Sequence, residues 1–309
     1  MHAVILERNK QVARKIARLF QASGATASLV EDPAQLAATV PHANLLCADA
    51  FDAELVVEQL RGRHQIRGLL WTAEPLRRAL RSVAASTAID HVFGRRDFES
   101  APRAEEVLMV ARRLVQPGEP PPFSAYLDWG ARVVEIAVGS TAERDAAVAH
   151  IQSFVGALAV PRRIIELVGE LAHELIMNAV YDAPIDAFGR PRYAADRKAD
   201  VVLEPHERAL VRVGTDGSRL GLQVRDPFGR LERAHVVDGL ARGLAGEMDR
   251  THGGAGLGMM VCHNACTSMV FDVARGRHTE VTALLELDLN LRELRTQARS
   301  LHFWSDGSK

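Results

Sequence analysis

The N-terminal third of the chain alternates short apolar runs with stretches whose apolar positions recur every three or four residues. Short apolar runs predict strands buried on both faces, and the intervening period predicts helices. The predicted strands are Ala3–Leu6, Thr26–Val30, Asn44–Cys47, Gly68–Trp71 and His91–Phe93. Strand–helix alternation of this kind predicts an α/β domain with a parallel sheet over residues 1–116.

The order and lengths of these elements resemble the receiver domain of bacterial response regulators, a flavodoxin-like fold. By that resemblance Asp49 is nearest to the phosphoacceptor, Thr72 to the hydroxyl position, and Arg95 or Arg96 stands where the family has lysine. Glu7 is the only acid after the first strand, whereas Mg²⁺ prefers several oxygen ligands. We interpret the domain as a degenerate receiver used for docking or dimerisation. Phosphorylation of Asp49, or a plain loop role for it, are the alternatives.

A second domain is predicted over residues 124–309, after a proline-rich linker at 117–123. Its pattern places helices first and antiparallel strands later, which favours an α+β two-layer sandwich. The predicted helices are Ala142–Leu158 and Pro161–Val180, and the predicted strands are Arg132–Val138, Val201–Leu203, Leu210–Val213, Leu220–Val224, Ser268–Ala274 and Glu280–Asp288. Leu231–His252 has no strong period, and the stretch from Leu291 to Trp304 predicts a helix or a short final strand.

Composition narrows the class of protein. Hydrophobic residues make up 47% and charged residues 25% of 309, and the net charge is −1, so neither a nucleic acid nor a membrane surface is indicated as a partner. Three cysteines and the absence of a signal-peptide pattern favour a cytoplasmic protein. Cys262 and Cys266 suggest thiols packed on a helix rather than a zinc site.

Two polar residues stand out on the helix predicted over Pro161–Val180. Glu174 and Asn178 are four residues apart, so they project from one face of the helix. A carboxylate there can accept a proton, and a carboxamide oxygen can bind Mg²⁺. A solvated glutamate beside an asparagine near the helix end is the simpler alternative.

Two further motifs lie downstream. The glycine run Gly254-Ala-Gly-Leu-Gly258 opens a predicted helix, and such runs let phosphate approach the free N–H groups of a helix start. Asp226 ends an otherwise apolar strand, where a buried carboxylate needs a partner. That partner is either the amine of an adenine or the N–H groups of a backbone turn.

Taken together, these motifs resemble the GHKL ATPase superfamily, which includes gyrases, heat-shock chaperones and histidine kinases. Residues 173–179 match its N box, His-Glu-x-x-x-Asn-Ala, in full. The resemblance implies a Bergerat-type sandwich in which Glu174 is the general base or positions water, Asn178 binds Mg²⁺ and Asp226 reads adenine.

The remaining boxes of the superfamily are matched with departures. By the resemblance, the other nucleotide-binding residues are Gly229, Gly254, Gly256, Leu257, Gly258 and Thr279. Phe228 and His278 stand where the family has glycine. Residues 231–253 would form the lid over the triphosphate, with Arg233, Arg242 and Arg250 as candidate phosphate contacts or, more simply, solvated arginines.

The strand–helix entry into the N box looks like that of anti-sigma-factor serine/threonine kinases. We therefore predict a bacterial signalling protein that binds ATP and Mg²⁺ and phosphorylates or switches a protein partner, such as an anti-anti-sigma-like substrate. A protein kinase or an ATPase activity is implied. A non-catalytic ATP-switched module and a scaffold with a decayed site are the alternatives. A homodimer is compatible with a receiver-like domain.

Overall fold

The structure is a computed structural model that describes residues 1–193, 199–245 and 257–306. The chain divides into two compact units. Unit 1 contains Met1–Pro120 and Thr296–His302, and unit 2 contains Pro121–Arg295 and the residues from Phe303 onward. The first division falls between Pro120 and Pro121, inside the proline-rich stretch 117–123. Among the described residues, no helix is both long enough and apolar enough to cross a membrane.

Unit 1 begins with alternating strands and helices. They are β1 (His2–Leu6), α1 (Lys10–Ala22), β2 (Thr26–Val30), α2 (Leu36–Thr39), β3 (Leu45–Asp49), α3 (Ala53–Leu60), β4 (Arg67–Thr72), α4 (Arg77–Ala85), β5 (Ile89–Gly94) and α5 (Ala104–Val115). The five strands are parallel in the order β2-β1-β3-β4-β5, so the predicted parallel sheet is confirmed. This is the strand order of flavodoxin-like doubly wound folds.

The pattern of the sequence explains this sheet. Strands β3 and β5 are buried along their whole length, as expected where helices cover both faces. Helix α1 starts where Asn9 caps it, because its side chain accepts hydrogen bonds from Gln11 and Val12 N–H. Since all five strands are parallel, the residues that follow β1, β3, β4 and β5 come together at one edge.

Unit 2 contains an antiparallel sheet and several helices. Its elements are β6 (Arg132–Val138), α6 (Thr141–Gly156), α7 (Arg162–Met177), β7 (Ala209–Thr215), β8 (Arg219–Asp226), α8 (Arg233–Ala245), α9 (Leu257–Ala265), β9 (Ser268–Ala274), β10 (His278–Glu286) and α10 (Leu291–Thr296). The strands lie in the order β9-β10-β8-β7-β6. Helix α6 packs on α7, α7 on α9, and α8 on α9.

One face of this sheet carries rows of apolar side chains. Val211 lies opposite Val224, which lies opposite Val281, so one row crosses three strands. Val211 and Val224 are buried, and helix α7 contacts β8. Because side chains alternate between faces, Asp226 and Thr279 lie on the same face, two residues further along. The sheet thus places a polar pair at the end of an apolar layer.

Helix α8 was not anticipated from the pattern of the segment Leu231–His252. It spans Arg233–Ala245, whereas residues 246–252 lie outside the described part of the chain. Its packing depends on a small residue, since a methyl group at Gly243 would lie 2.8 Å from Met260 Cβ. Its buried apolar residues Val236, Val237 and Leu240 do follow a helical spacing, but over a stretch of five residues, which is too short to give a strong period.

The strand predicted at Val201–Leu203 is reduced to one isolated bridge between Val202 and Ser140. Its neighbour Val201 bonds instead with Thr141, donating its N–H to the hydroxyl and accepting from the Thr141 amide. The segment is therefore fastened to the start of α6 and does not extend a ladder.

The C-terminal part of the chain corrects the assignment of all of 124–309 to one domain. After α10, strand β11 (Ser300–Ser305) begins in unit 1, where Leu301 and His302 pair antiparallel with β5. Gly94 at the end of β5 donates its N–H to the Ser300 hydroxyl. A methyl group at Gly94 would lie 2.3 Å from the Ala298 carbonyl oxygen. Such long-range pairing leaves no local signal in the sequence.

We expect acid to weaken this pairing through His302. The imidazole is buried 5.6 Å from His91 and 4.8 Å from Phe93 between ring centroids. Burial, with Arg113 and Arg103 nearby, lowers the pKa of His302 to about 3. The unfolded chain protonates this group near pH 6.5, so stability present above that pH is lost as the pH falls toward 3. Between about pH 7 and about pH 5 the loss should be about 2 kcal/mol.

The measurement is urea unfolding across this pH range, with hydrogen exchange of β5 and β11 as the local signal. His302→Leu should flatten the pH dependence, while His42→Gln, at an exposed position, should leave it as in the wild type. An unchanged pH dependence in His302→Leu would contradict the assignment.

Candidate functional site

Glu174 lies in the last turn of α7, and Asn178 directly follows its last residue; both side chains are half-buried. The sequence predicted an α-helix through Val180, but the structure changes to a π turn over Asn178–Asp182. The turn is closed by a 2.9 Å hydrogen bond from Ala183 N–H to the Asn178 carbonyl. Single π turns inside helices are frequent at functional sites. Glu174 thus lies on the last regular turn of α7, and Asn178 is the first residue of the π turn.

The Glu174 carboxylate lies against the first turn of α9. A methyl group built on Gly258 would be 2.2 Å from Glu174 Oε2, so the carboxylate would have to shift if residue 258 carried a side chain. One turn further along α9, Cys262 is fully buried. Burial, then Cys266 and the charge of Glu174, raise the pKa of the Cys262 thiol well above its ordinary value. Two motifs more than eighty residues apart in sequence therefore meet here.

Part of the predicted site lies outside the described residues. Gly254, Gly256 and the lid residue Arg250 belong to that part, as does the side chain of Leu257, the first residue of α9. Of the other lid arginines, Arg233 and Arg242 are on α8, and Arg242 is exposed.

Asp226 and Thr279 form the polar pair at the end of β8 and β10. Both are buried, and they lie directly opposite each other in the ladder. Asp226 Oδ1 accepts hydrogen bonds from the N–H groups of Phe228 at 2.8 Å and Gly229 at 3.2 Å. Burial raises the pKa of Asp226, and the Phe228, Gly229 and Thr279 hydrogen bonds oppose that effect. The carboxylate therefore holds the turn after β8, which is the simpler of its two predicted roles.

Arg230 adds a contact that the sequence did not single out. Its guanidinium donates to the Asp182 carbonyl across 3.3 Å, which ties the turn after β8 to the π turn after α7. With the Glu174–Gly258 contact, this joins the end of α7 to both the start of α9 and the end of β8. In the sequence, Arg230 is marked only by its position directly after Gly229. That position does not indicate which residue the side chain contacts.

A metal site at Cys262 and Cys266 was the alternative to packed thiols, and the described residues bear on it. They contain no group of three or more His, Cys, Asp or Glu side chains arranged to hold a metal ion. Cys262 and Cys266 are buried and form no disulfide, and the Cys266 thiol donates to the Cys262 carbonyl at 3.1 Å. Cys262 lies on α9 and Cys266 directly follows its last residue, so both are packed as small apolar residues.

In unit 1, the strand ends bring Glu7, Asp49 and Arg95 together as a buried cluster. The Arg95 guanidinium bonds Glu7 Oε2 at 3.1 Å and Asp49 Oδ2 at 2.7 Å. Trp71 Nε1 donates to the same Glu7 oxygen at 3.1 Å. Arg95, and not the exposed Arg96, therefore stands beside the two acids. The Arg95 guanidinium therefore lies where a Mg²⁺ ion bound by the two acids would have to lie.

The other predicted receiver positions are also occupied locally. Asp49 Oδ1 accepts the Phe51 N–H at 2.7 Å, and Thr72 exchanges hydrogen bonds with the backbone of Glu74. Burial raises the pKa of Asp49, while the Phe51 amide and Arg95 act in the opposite direction. The charged groups of this cluster are therefore bonded to one another, and the cluster is called the Arg95 network below.

Comparison with known proteins gives limited information. No protein-family model matches the sequence, and no curated protein matches it. The solved structures that match include three at 11–13% sequence identity. The receiver domain of the Francisella response regulator 1452 is 11% identical over 37% of this chain and 94% of its own, with a TM-score of 0.31.

An atypical orphan response regulator, described as revealing a phosphorylation-independent regulatory mechanism, is 13% identical over 37% of this chain and 96% of its own, with a TM-score of 0.31. The SiaB–SiaC complex from Pseudomonas aeruginosa is 12% identical over 49% of this chain and 88% of that chain, with a TM-score of 0.33. Similarities of this size carry no functional argument, so function is argued from the site itself.

We expect the turn that Asp226 holds to depend on Gly229. This residue has φ 64°, and a methyl group there would lie 2.2 Å from the Ala274 carbonyl oxygen. Gly276 is the matched control, since it has φ 66° but nothing within 4 Å of a methyl group. Gly276→Ala should cost about 1 kcal/mol of unfolding free energy, and Gly229→Ala about 3 kcal/mol or more. Equal losses in urea unfolding would show that the close contact does not matter.

We expect Arg95 to be required for the stability of unit 1. Arg95→Met leaves two buried carboxylates without their cation and should cost about 3 kcal/mol, measured by urea unfolding. Adding Asp49→Asn and Glu7→Gln should recover most of that loss. Arg96→Met, next in sequence but exposed, should change the unfolding free energy by less than about 0.5 kcal/mol. A similar loss in both single variants would contradict this account.

Proposed function

We propose that unit 2 is a GHKL-type ATP-binding domain and that the protein is a signalling protein acting on a protein partner. The observation that carries this proposal is the contact between Glu174 and the first turn of α9 at Gly258. It joins the two segments that the resemblance assigns to catalysis and to phosphate binding.

In this proposal the end of α7 supplies the reactive groups. Glu174 acts as the general base, taking a proton from the hydroxyl of a serine or threonine in the partner or orienting a water. Such a role contributes about 10²- to 10⁴-fold to the rate. Asn178 binds Mg²⁺ through its amide oxygen. Gly254, Gly256, Leu257 and Gly258 bind the phosphates at the start of α9.

The polar pair at the sheet end supports adenine binding. Asp226 and Thr279 are buried at the end of an apolar layer, which suits a planar base with a polar edge. In the proposal Asp226 reads the adenine amine, and Gly229 keeps the turn close to the base. The bonds from Asp226 to the turn are compatible with this because a carboxylate has two oxygens.

The donors present suit Mg²⁺ and ATP. Glu174 and Asn178 offer hard oxygen atoms on one helix face, and the described residues around them include no cluster that would favour a softer metal. Mg²⁺ held by Asn178 would supply charge neutralisation to the phosphates of ATP. The three buried cysteines form no disulfide, which suits a reducing, cytoplasmic compartment.

Unit 1 would then serve for docking or dimerisation rather than for phosphorylation. Its closed Arg95 network supports this role, because Asp49 is already bonded to a guanidinium and a backbone amide. In this proposal the receiver-like unit binds another protein, and a second copy of this chain is one such partner.

The test is calorimetric titration of the full chain with ATP, with and without Mg²⁺. The wild type should bind ATP with Mg²⁺ dependence, and Asn178→Ala should weaken the Mg²⁺-dependent part by about tenfold or more. Glu174→Ala should abolish turnover, measured as ADP release or transfer of labelled phosphate to a partner. Glu170→Ala, one turn earlier on an exposed face, is the matched control and should behave as the wild type.

The outcomes separate the alternatives. Binding without turnover in any form would favour an ATP-switched binding module. No heat of binding at millimolar ATP would overturn the proposal and leave a scaffold.

A further inference from the structure

A side chain from the turn after β8 bonds the π turn that follows α7. The Arg230 guanidinium donates to the Asp182 carbonyl across 3.3 Å, and β8 itself contacts the π turn. The last carbonyls of a helix have no intrahelical donor, and the helix dipole gives that end a partial negative charge. A guanidinium that donates there satisfies a backbone acceptor and opposes the dipole. Arg230 is therefore placed to stabilise the helix end at which Asn178 lies.

The bond from Arg230 also favours the π conformation over a continued α-helix. The Asn178 carbonyl accepts from Ala183 N–H at 2.9 Å, five residues along, which closes the π turn. In an α-helix that carbonyl would accept from Asp182 N–H instead. The residues after the turn would then rotate by about 100° around the helix axis, and the Asp182 carbonyl would move away from Arg230. The contact thus selects the backbone conformation that begins at Asn178.

The turn after β8 has hydrogen bonds of its own. Asp226 Oδ1 accepts the N–H groups of Phe228 and Gly229, and the Gly229 carbonyl accepts from Gly276 N–H at 3.2 Å. The backbone of this turn is therefore fixed on both sides of Gly229, and Arg230 extends from a fixed point. Of the two segments that this side chain joins, the π turn is the one that is positioned.

We propose that Arg230 is a positioning residue that fixes the π turn, and with it the Mg²⁺ ligand Asn178, against the adenine-binding turn after β8. This inference rests on the proposed function. In this role Arg230 contacts neither nucleotide nor metal. It joins the adenine end of the site to the metal end, so that a nucleotide bound at Asp226 meets Asn178 already in position.

The inference predicts losses confined to the Mg²⁺-dependent part of binding. Arg230→Met keeps a long side chain and removes its charge and its donors. Adenosine affinity, which needs only the adenine end, should change by less than about twofold. The gain in ATP affinity that Mg²⁺ gives should fall about three- to tenfold, as expected for the loss of one hydrogen bond. Arg230→Lys keeps the charge and a donor and should restore part of that gain.

The experiment is calorimetry of the full chain with adenosine and with ATP, each in EDTA and in Mg²⁺. It compares the wild type with Arg230→Met, Arg230→Lys, Asn178→Ala and the double variant of Arg230→Met and Asn178→Ala. Because Arg230 acts through Asn178, the double variant should lose no more of the Mg²⁺-dependent gain than Asn178→Ala alone. Arg162→Met, at an exposed position on the first turn of α7, is the matched control and should behave as the wild type.

A second measurement needs no nucleotide. The Ala183 amide closes the π turn, so its hydrogen exchange reports how often the turn opens. Exchange should be about tenfold faster in Arg230→Met than in the wild type and unchanged in Arg162→Met. An unchanged rate in Arg230→Met would show that Arg230 does not hold the turn and would overturn the inference.

The binding results separate the inference from the proposed function. Suppose that the wild type binds ATP with Mg²⁺ dependence. If Arg230→Met keeps that dependence, loses adenosine affinity equally, or adds its loss to that of Asn178→Ala, the inference is wrong and the proposed function stands. If no form binds any nucleotide, the proposed function fails, and the inference fails with it.

Discussion

The antiparallel register of β8 and β10 is the constraint on which the candidate site depends. It sets Asp226 opposite Thr279 and, two residues earlier, Val224 opposite Val281. A shift of one residue would turn the polar pair to the other face and the apolar row away from α7. The same register brings the turn after β8 to the turn between β9 and β10, where Gly276 N–H donates to the Gly229 carbonyl.

Glu7 and Asp49 in unit 1 and Glu174 in unit 2 have different kinds of neighbour. In unit 1, Glu7 and Asp49 are buried and joined to Arg95, so their charges are satisfied within the protein. In unit 2, Glu174 is half-buried and meets a helix start in place of a cation. A guanidinium held by two carboxylates is costly to displace, whereas a flexible glutamate at a helix terminus can move.

Phe228 and His278, which stand where the GHKL boxes have glycine, do not need the backbone freedom of glycine in this structure. Among the described residues other than glycine, only Ala159 has a positive φ, so Phe228 and His278 adopt ordinary backbone conformations. Phe228 contributes its N–H to Asp226, which any residue except proline could do. The positions that need glycine are Gly229 and Gly276, both with positive φ. Both glycines are present.

The sequence by itself determined the elements whose signals are local. Continuous apolar runs predicted the parallel strands of unit 1, and the helix of Glu174 and Asn178 followed from its period and its flanking prolines. It could not determine the features that depend on distant partners. The choice of Arg95 over Arg96, the placement of β11 on β5 and the packing of α8 through Gly243 needed the folded chain. So did the contact of Glu174 with Gly258 and the bond from Arg230 to Asp182. Local patterns report how a segment folds, whereas only tertiary structure decides which charges and glycines meet, because those contacts join residues far apart in sequence.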